Sequence, residues 1–208
     1  MNSVLKQSLK RAFAVCAVTA VLVATDPFTM GLYRHVAPKG RWAEALAQAL
    51  TYSLELHMVA IGIVLYTVLV RSERLRRLAV IGGASLTQAM TVDVVKTLAA
   101  RPRPADLSDA VVFGAADDLG GRSFPSGHAT SAFALATVLA AWYPRWRVAF
   151  YTAAVLVTWS RIHLDRHFPG DCFMGACLGS YIALCFIRYV WQRNSHLNRA
   201  EIDAQQRR

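Results

Sequence analysis

The strongest constraint on the fold of this chain is a series of apolar runs, most of them near the length needed to cross a bilayer. Six such segments can be placed, at approximately residues 11–30, 48–70, 78–97, 127–143, 147–164 and 172–190. A helix needs about 20 residues to span the hydrocarbon core, and 55% of the 208 residues are hydrophobic. The sequence predicts an all-α, polytopic membrane protein with six transmembrane helices. Residues 1–194 form its single domain, and the polar segment 195–208 has the composition of a disordered cytoplasmic tail.

The first apolar run has two interpretations. Lys6, Lys10 and Arg11 precede it and the small residues Ala24 and Thr25 lie near its end, so a cleaved signal peptide is the alternative to a retained first span. Pro27 is expected to end or kink a helix formed by this run.

The distribution of positive charge predicts the orientation in the membrane. The net charge is +10, and short basic clusters occur within residues 1–11, 71–77, 143–147 and 188–208. A six-span arrangement places all four clusters on one side, which is therefore cytoplasmic, together with both termini. Segments 31–47, 98–126 and 161–171 then face outward. No basic face interleaved with aromatic residues occurs, so we expect no nucleic-acid partner.

Three polar clusters coincide with the outer ends of predicted spans. The first is "KTLAARPRP", residues 96–104, in which Lys96 and Arg103 supply two cations. A lysine point charge and a planar guanidinium together suit a tetrahedral oxyanion. The alternative is a basic helix end whose side chains extend to the lipid headgroups. The neighbouring Arg101 and Arg122 either touch a headgroup or lie in solvent.

The second cluster is "RSFPSGHATS", residues 122–131. Pro125 and Ser126 predict a helix start with Ser126 as the N-cap, and a helix N-terminus favours anions. Gly127 leaves room for a ligand near the backbone, and His128 is placed to donate or accept a proton there. A capped helix followed by a surface histidine is the alternative.

The third cluster is "SRIHLDRHFPGD", residues 160–171. Arg161 is a further anion donor. His167 and Asp171 are four residues apart, so the carboxylate can hold one imidazole nitrogen and leave the other as a nucleophile. Pro169 is expected to begin the next helix. A metal site formed by His163, His167 and Asp171 is the rival interpretation, although nearby arginines would repel a dication.

Together the clusters resemble the type 2 phosphatidic acid phosphatase (PAP2) superfamily of membrane-embedded lipid phosphatases. The three motifs of that family are K-x6-R-P, P-S-G-H and S-R-x5-H-x3-D. They match, in order, Lys96 to Pro104, Pro125 to His128, and Ser160 to Asp171. The six-span topology is similar too, so the resemblance implies a PAP2-like helical bundle over most of the chain.

The resemblance also implies a role for each matched residue. His167 is the expected nucleophile that forms a phosphohistidine intermediate, Asp171 orients it, and His128 is the general acid. The expected phosphate-binding residues are Lys96, Arg103, Ser126, Gly127 and Arg161. No metal and no other cofactor is implied.

The expected function is hydrolysis of a phosphate or diphosphate group from a membrane lipid, at the outer face of a bacterial cytoplasmic membrane. Candidate substrates are undecaprenyl diphosphate, phosphatidylglycerophosphate, phosphatidic acid and lipid A phosphate. The expected partners are the lipid phosphate and the bilayer, and the sequence carries no information on oligomeric state. Two alternatives are a non-enzymatic lipid-phosphate binding or transport protein, and a relative of the vanadate-dependent haloperoxidases.

Overall fold

The structure, a computed structural model, describes residues 3–53, 74–106 and 122–206, and every regular element in these ranges is helical. The prediction of an all-α protein is confirmed. The α-helices in the described ranges are α1 (Ser3–Val36), α2 (Arg41–Tyr52), α3 (Arg74–Ala99), α4 (Gly127–Trp142), α5 (Arg147–His163) and α6 (Pro169–Gln206). Short 3₁₀ turns occur at Pro104–Asp106 and Pro144–Trp146.

Three of the described helices contain segments long and apolar enough to cross a membrane: Lys10–Val36, Arg77–Ala99 and Pro169–Tyr189. Helices α4 and α5 have 16 and 17 residues, so each is about 24–26 Å long. Most of the predicted span at 48–70 lies outside the described residues. Six transmembrane helices therefore stay a prediction.

Large apolar side chains cover the outside of the long helices. Phe28 of α1 is 73% exposed and Leu98 of α3 is 81% exposed. Such surfaces are costly in water and are expected where a helix faces lipid.

Pro27 does not end the first helix. Helix α1 continues through it to Val36, which membrane helices tolerate when nearby groups satisfy the freed backbone. The polar residues 195–206, for which we expect a tail, continue α6 as helix.

Helix α4 lies between α5 and α6 and is packed very closely against α6. A β-carbon added at Gly179 would lie 2.0 Å from the carbonyl oxygen of Thr130, and one at Gly175 would lie 2.6 Å from that of Ser126. Small residues at this spacing allow helix backbones to approach each other in membranes. The contact brings the N-terminus of α4 beside the first turns of α6, where two of the three polar clusters lie.

The two ends of the bundle differ in character. At one end, Arg77 at the start of α3 donates to the Tyr143 hydroxyl at 3.0 Å and lies over the Trp142 ring. Residues 77 and 143 therefore share one end of the bundle, as the six-span arrangement predicts. At the opposite end the C-termini of α3 and α5 meet the N-termini of α4 and α6, and all three polar clusters gather there.

Candidate active site

A sharp turn after α3 brings the first cluster beside the second. Ala100 has φ of 40°, in the left-handed region that closes many helices, and its N–H donates to the carbonyl of Lys96 at 3.0 Å. The chain beyond this turn pairs with the segment before α4. The Ser123 N–H donates to the Arg101 carbonyl at 2.7 Å, and the Ser123 hydroxyl donates to the Pro102 carbonyl at 2.9 Å.

The direct hydrogen-bond partner of His167 is the backbone of Ser123. His167 Nδ1 lies 2.7 Å from the Ser123 carbonyl oxygen, and the histidine is only 2% exposed. A carbonyl can only accept, so Nδ1 carries the proton and Nε2 keeps its lone pair. From the sequence, Asp171 was the expected orienting residue. Asp171 is indeed adjacent, but its Oδ2 lies 3.8 Å from Nδ1.

Asp171 has two partners of its own at the start of α6. The helix begins at Pro169 with Asp171 in its first turn, as predicted. Asp171 Oδ2 accepts the Phe168 N–H at 2.9 Å, which is the backbone contact of a capping box. Its Oδ1 accepts a charge-assisted hydrogen bond from Arg101. The carboxylate is therefore fixed from both sides, close to the imidazole.

Arg101 lies beside these residues, and the prediction that it reaches a headgroup or solvent is wrong. Its side chain is fully buried. Besides Asp171 it pairs with Asp26 of α1 at 2.9 Å, and its guanidinium lies 4.4 Å from the centre of the Phe168 ring. The signal that could have found this pair is Asp26 itself, because an acidic residue inside an apolar span requires a partner.

The phosphate-binding candidates concentrate positive charge near the two histidines. Lys96, Arg103 and Arg161 all interact electrostatically with His128. Lys96 and Arg161 interact in the same way with His167. In the part of the chain that the structure describes, Arg103 Nε and His128 Nε2 are buried without a hydrogen-bond partner. Buried polar atoms of this kind normally have a partner, and an oxyanion would supply it for the Arg103 N–H and for a protonated His128 Nε2.

Arg161 is anchored from α2, which is a contact that the sequence did not predict. Its NH1 donates to the Thr51 hydroxyl at 3.3 Å, and the same hydroxyl lies 3.0 Å from that of Ser160. Arg161 is 9% exposed. The hydroxyl of Thr51 therefore constrains the direction of the guanidinium.

The N-terminus of α4 has the predicted cap. Ser126 Oγ accepts the Ala129 N–H at 3.4 Å, so the prediction that Ser126 is the N-cap is confirmed. The Ser126 side chain is fully buried, and its role in binding phosphate stays a prediction. Lys96 approaches the next residue, since a β-carbon added at Gly127 would lie 3.9 Å from the lysine Nζ.

A largely apolar cavity of about 220 Å³ has Gly127 and His128 in its lining. It continues between α3 and α4 past Gln88 and Ser131 to Val138. The cavity therefore joins the polar end of the bundle to the apolar interior of the span.

His163 lies in a different environment from His167. Its Nδ1 is 2.9 Å from the Tyr33 hydroxyl, and its ring stacks on Trp159 at 4.9 Å between centroids. Among the residues that the structure describes, no three His, Cys, Asp or Glu side chains lie close enough to hold a metal ion. The rival set of His163, His167 and Asp171 is therefore not brought together.

Burial lowers the pKa of His167 below its ordinary value, because a charged imidazole is poorly solvated there. The neighbouring Asp171 carboxylate opposes this shift, and the cations Arg161 and Lys96 add to it. The neutral imidazole, with Nε2 unprotonated, is thus the form that this environment favours at neutral pH.

The chain is similar in sequence to bacterial membrane-lipid phosphatases. It is 32% identical over 98 residues to a lipid A 1-phosphatase of Rhizobium johnstonii, covering 46% of this chain and 40% of that protein. It is 35% identical over 83 residues to the putative undecaprenyl-diphosphatase YbjG of Escherichia coli, covering 39% of each. The matched part spans about two fifths of the length of these curated relatives.

Two solved structures share the fold. The crystal structure of Aquifex aeolicus LpxE has a TM-score of 0.66 at 23% identity, over 79% of this chain and 95% of that one. The second is the crystal structure of a transmembrane PAP2 type phosphatidylglycerolphosphate phosphatase from Bacillus subtilis. Its TM-score is 0.64 at 20% identity, over 86% of this chain and 96% of that one.

The family assignment rests on the C-terminal part of the chain. Residues 77–195 match the PAP2 superfamily, and this range contains the three polar clusters and helices α4 and α5 entirely. Its apolar helices and membrane relatives identify an integral membrane protein. The chain belongs to the PAP2 superfamily.

Proposed function

We propose that this protein hydrolyses a phosphate or diphosphate group from a membrane lipid through a phosphohistidine intermediate, without a metal ion. The observation that carries the proposal is the state of His167. Its Nδ1 is tied to the Ser123 carbonyl at 2.7 Å, and cationic side chains act on the ring. A neutral imidazole with a free Nε2 in a cationic pocket is suited to attack on phosphorus.

In the first step, His167 Nε2 attacks phosphorus and the bond from phosphorus to the leaving oxygen breaks. The electron pair of that bond passes to the leaving oxygen, which takes a proton from His128. Lys96, Arg103 and Arg161 neutralise the non-bridging oxygens as charge develops on them. Positioning and charge neutralisation are the main requirements of phosphoryl transfer.

In the second step, water attacks the phosphohistidine and His128 accepts a proton from that water. The phosphorus–nitrogen bond breaks, which releases inorganic phosphate and restores the neutral imidazole of His167. Asp171 stabilises the positive charge that the ring carries while it is phosphorylated. With side chains supplying the positive charge, we expect activity to persist in EDTA.

The cavity beside His128 supports a lipid as the substrate. The general acid must reach the leaving oxygen, and the hydrophobic chains of the lipid belong to the leaving group that carries that oxygen. From Gly127 to Val138 the cavity follows α4 for about 16 Å, which suits part of an acyl or prenyl chain. We propose the same four candidate lipids as the sequence analysis, three of which correspond to substrates named for the relatives and structural neighbours.

The proposed location of the site is the outer face of a bacterial cytoplasmic membrane, with both termini in the cytoplasm. Support comes from the end of the bundle that carries Arg77 and Tyr143. This end lies opposite the site and contains residues of the basic segments 71–77 and 143–147. Basic segments favour the cytoplasmic side.

The test is phosphate release by the purified full chain from each of the four lipids in detergent micelles. His167→Ala should reduce release by about 10³-fold or more, because it removes the nucleophile. A brief reaction with lipid labelled in the phosphate should leave an acid-labile label on the wild type and none on His167→Ala.

The matched control is His163→Ala, which removes a histidine outside the site and should retain activity and labelling. Lipid binding without phosphate release by the wild type would contradict the proposal and favour the non-enzymatic alternative.

A further inference from the structure

We propose that Asp26 and Arg101 are positioning residues for His167, so that α1 is part of the catalytic centre. This inference rests on the proposed function, because it concerns how the proposed nucleophile is held. Neither residue belongs to the three motifs.

Asp26 holds the beginning of α6 from a different helix. It is fully buried, and its Oδ1 accepts the Gly170 N–H at 2.9 Å. Gly170 is the second residue of α6, where backbone N–H groups have no partner within the helix. Its lack of a side chain is required by this contact, since a β-carbon there would lie 2.7 Å from Asp26 Oδ2. Asp26 therefore serves as a cap in trans for the helix that carries Asp171.

Arg101 joins Asp26 to Asp171. One terminal nitrogen lies 2.9 Å from Asp26 Oδ2, and the other donates to Asp171 Oδ1. All three side chains are fully buried. A guanidinium presents its donors in a rigid fork, so it fixes the relative position of the two carboxylates in a way that a flexible ammonium does not.

Arg101 also reaches His167 by a second route, through its backbone. The Arg101 carbonyl accepts the Ser123 N–H at 2.7 Å, and the Ser123 carbonyl is the partner of His167 Nδ1. The side chain and the backbone of one residue thus support both groups that hold the imidazole. A salt bridge that only stabilised the bundle would not need to contact both the Asp171 carboxylate and, through the backbone, the Ser123 carbonyl.

The charges of the cluster give the proposal a distinctive consequence. The permanently charged guanidinium of Arg101 pairs with both carboxylates and favours their ionised forms, which gives the cluster a net charge of −1. Other charged or titratable neighbours of His167 include Lys96, His128 and Arg161. Asp26→Asn removes a negative charge and should lower the midpoint at which His167 protonates. Arg101→Gln removes a positive charge and should raise that midpoint.

The experiment is a histidine ¹⁵N NMR titration of the purified full chain in detergent, with the His167 signals assigned by their absence in His167→Ala. We expect opposite shifts in Asp26→Asn and Arg101→Gln, and a midpoint near the wild-type value in the double variant. The titration does not require turnover, so it tests the inference even if the wild type releases no phosphate and the proposed function fails.

Kinetics provide the second measurement. With a lipid that the wild type hydrolyses, each single variant should lower kcat by about 10- to 100-fold. This is the range found for residues that orient the metal-binding side chains of other enzymes. KM should change less than kcat. Arg101→Lys keeps the charge but not the fork, and should show an intermediate kcat with little shift of the midpoint.

The matched control is Arg34→Gln. Arg34 also lies on α1 and pairs with Asp165 just before α6 at 3.2 Å, but its side chain is 50% exposed. It should leave both the titration and kcat unchanged. Unchanged His167 midpoints in Asp26→Asn and Arg101→Gln, or shifts of the same sign, would overturn the proposal. If either variant does not fold, Arg101→Lys decides, and wild-type kcat in it would also overturn the proposal.

Discussion

His167 Nδ1 lies 2.7 Å from the carbonyl oxygen of Ser123, whereas Asp171 Oδ2 is 3.8 Å from the same nitrogen. The two partners therefore have different tasks. The carbonyl, which can only accept, determines which imidazole nitrogen carries the proton. The carboxylate supplies a nearby negative charge and holds the first turn of α6.

Asp171→Asn should reduce kcat by about 10²- to 10³-fold, less than the roughly 10⁴-fold seen when loss of an orienting carboxylate also leaves the catalytic histidine in the wrong tautomer. The loss should be smaller than in His167→Ala, because the Ser123 carbonyl still holds the tautomer. Initial rates of phosphate release would measure it. Asp165→Asn is the control, since the Asp165 side chain is 40% exposed and pairs with Arg34. A rate for Asp171→Asn as low as that for His167→Ala would contradict this division of tasks.

The acidic limb of kcat/KM should have its midpoint below the ordinary histidine value of about 6.5. Protonation of Nε2 removes the nucleophilic lone pair, so activity falls as the pH drops through the pKa of His167. Burial lowers that pKa, with Asp171 opposing and Arg161 and Lys96 reinforcing the shift. Rates in overlapping buffers, with the folded fraction checked at each pH, would give the midpoint. An acidic midpoint well above 6.5 would contradict the prediction.

Thr51→Val should weaken substrate binding more than it slows the chemical step. The substitution keeps the shape of the side chain but removes the hydroxyl that accepts from Arg161 at 3.3 Å. Loss of one such hydrogen bond costs about 1 kcal/mol, which corresponds to a roughly fivefold increase in KM. Ser53→Ala is the control, because the Ser53 side chain is exposed and its hydroxyl donates to the Leu50 carbonyl. An unchanged KM would show that Thr51 does not orient Arg161.

Gly179→Ala should destabilise the bundle. The new methyl group would lie 2.0 Å from the Thr130 carbonyl oxygen, so α4 and α6 must separate, and overpacking of this kind costs about 1–3 kcal/mol. Thermal unfolding in detergent would report it as a lower Tm. Gly82→Ala is the control on α3, where an added β-carbon meets nothing within 4 Å. Equal Tm values for the two variants would contradict the packing argument.

The motif residues could be predicted because their chemistry and their spacing are both local properties of the chain. Pro169 at the start of α6 and Ser126 at the start of α4 are helix-boundary signals, and both starts were predicted correctly. Their positions relative to the apolar runs also placed Lys96, His128 and His167 at one end of the bundle. Pro27 was expected to end or kink the first helix, and it does not end it, since helix α1 continues to Val36.

The partners of the site residues are not local properties. Arg101 looked like a surface arginine because nothing near it in the chain indicates Asp26, and only the packing of α1 against α6 buries the two together. Ser123 contributes a backbone carbonyl, and the direction of a carbonyl depends on the path of the chain rather than on residue type. The sequence alone thus determined the apolar segments, the reactive groups and the family to which the chain belongs. The tertiary structure decided which groups hold them, because those contacts join helices that are distant in the chain.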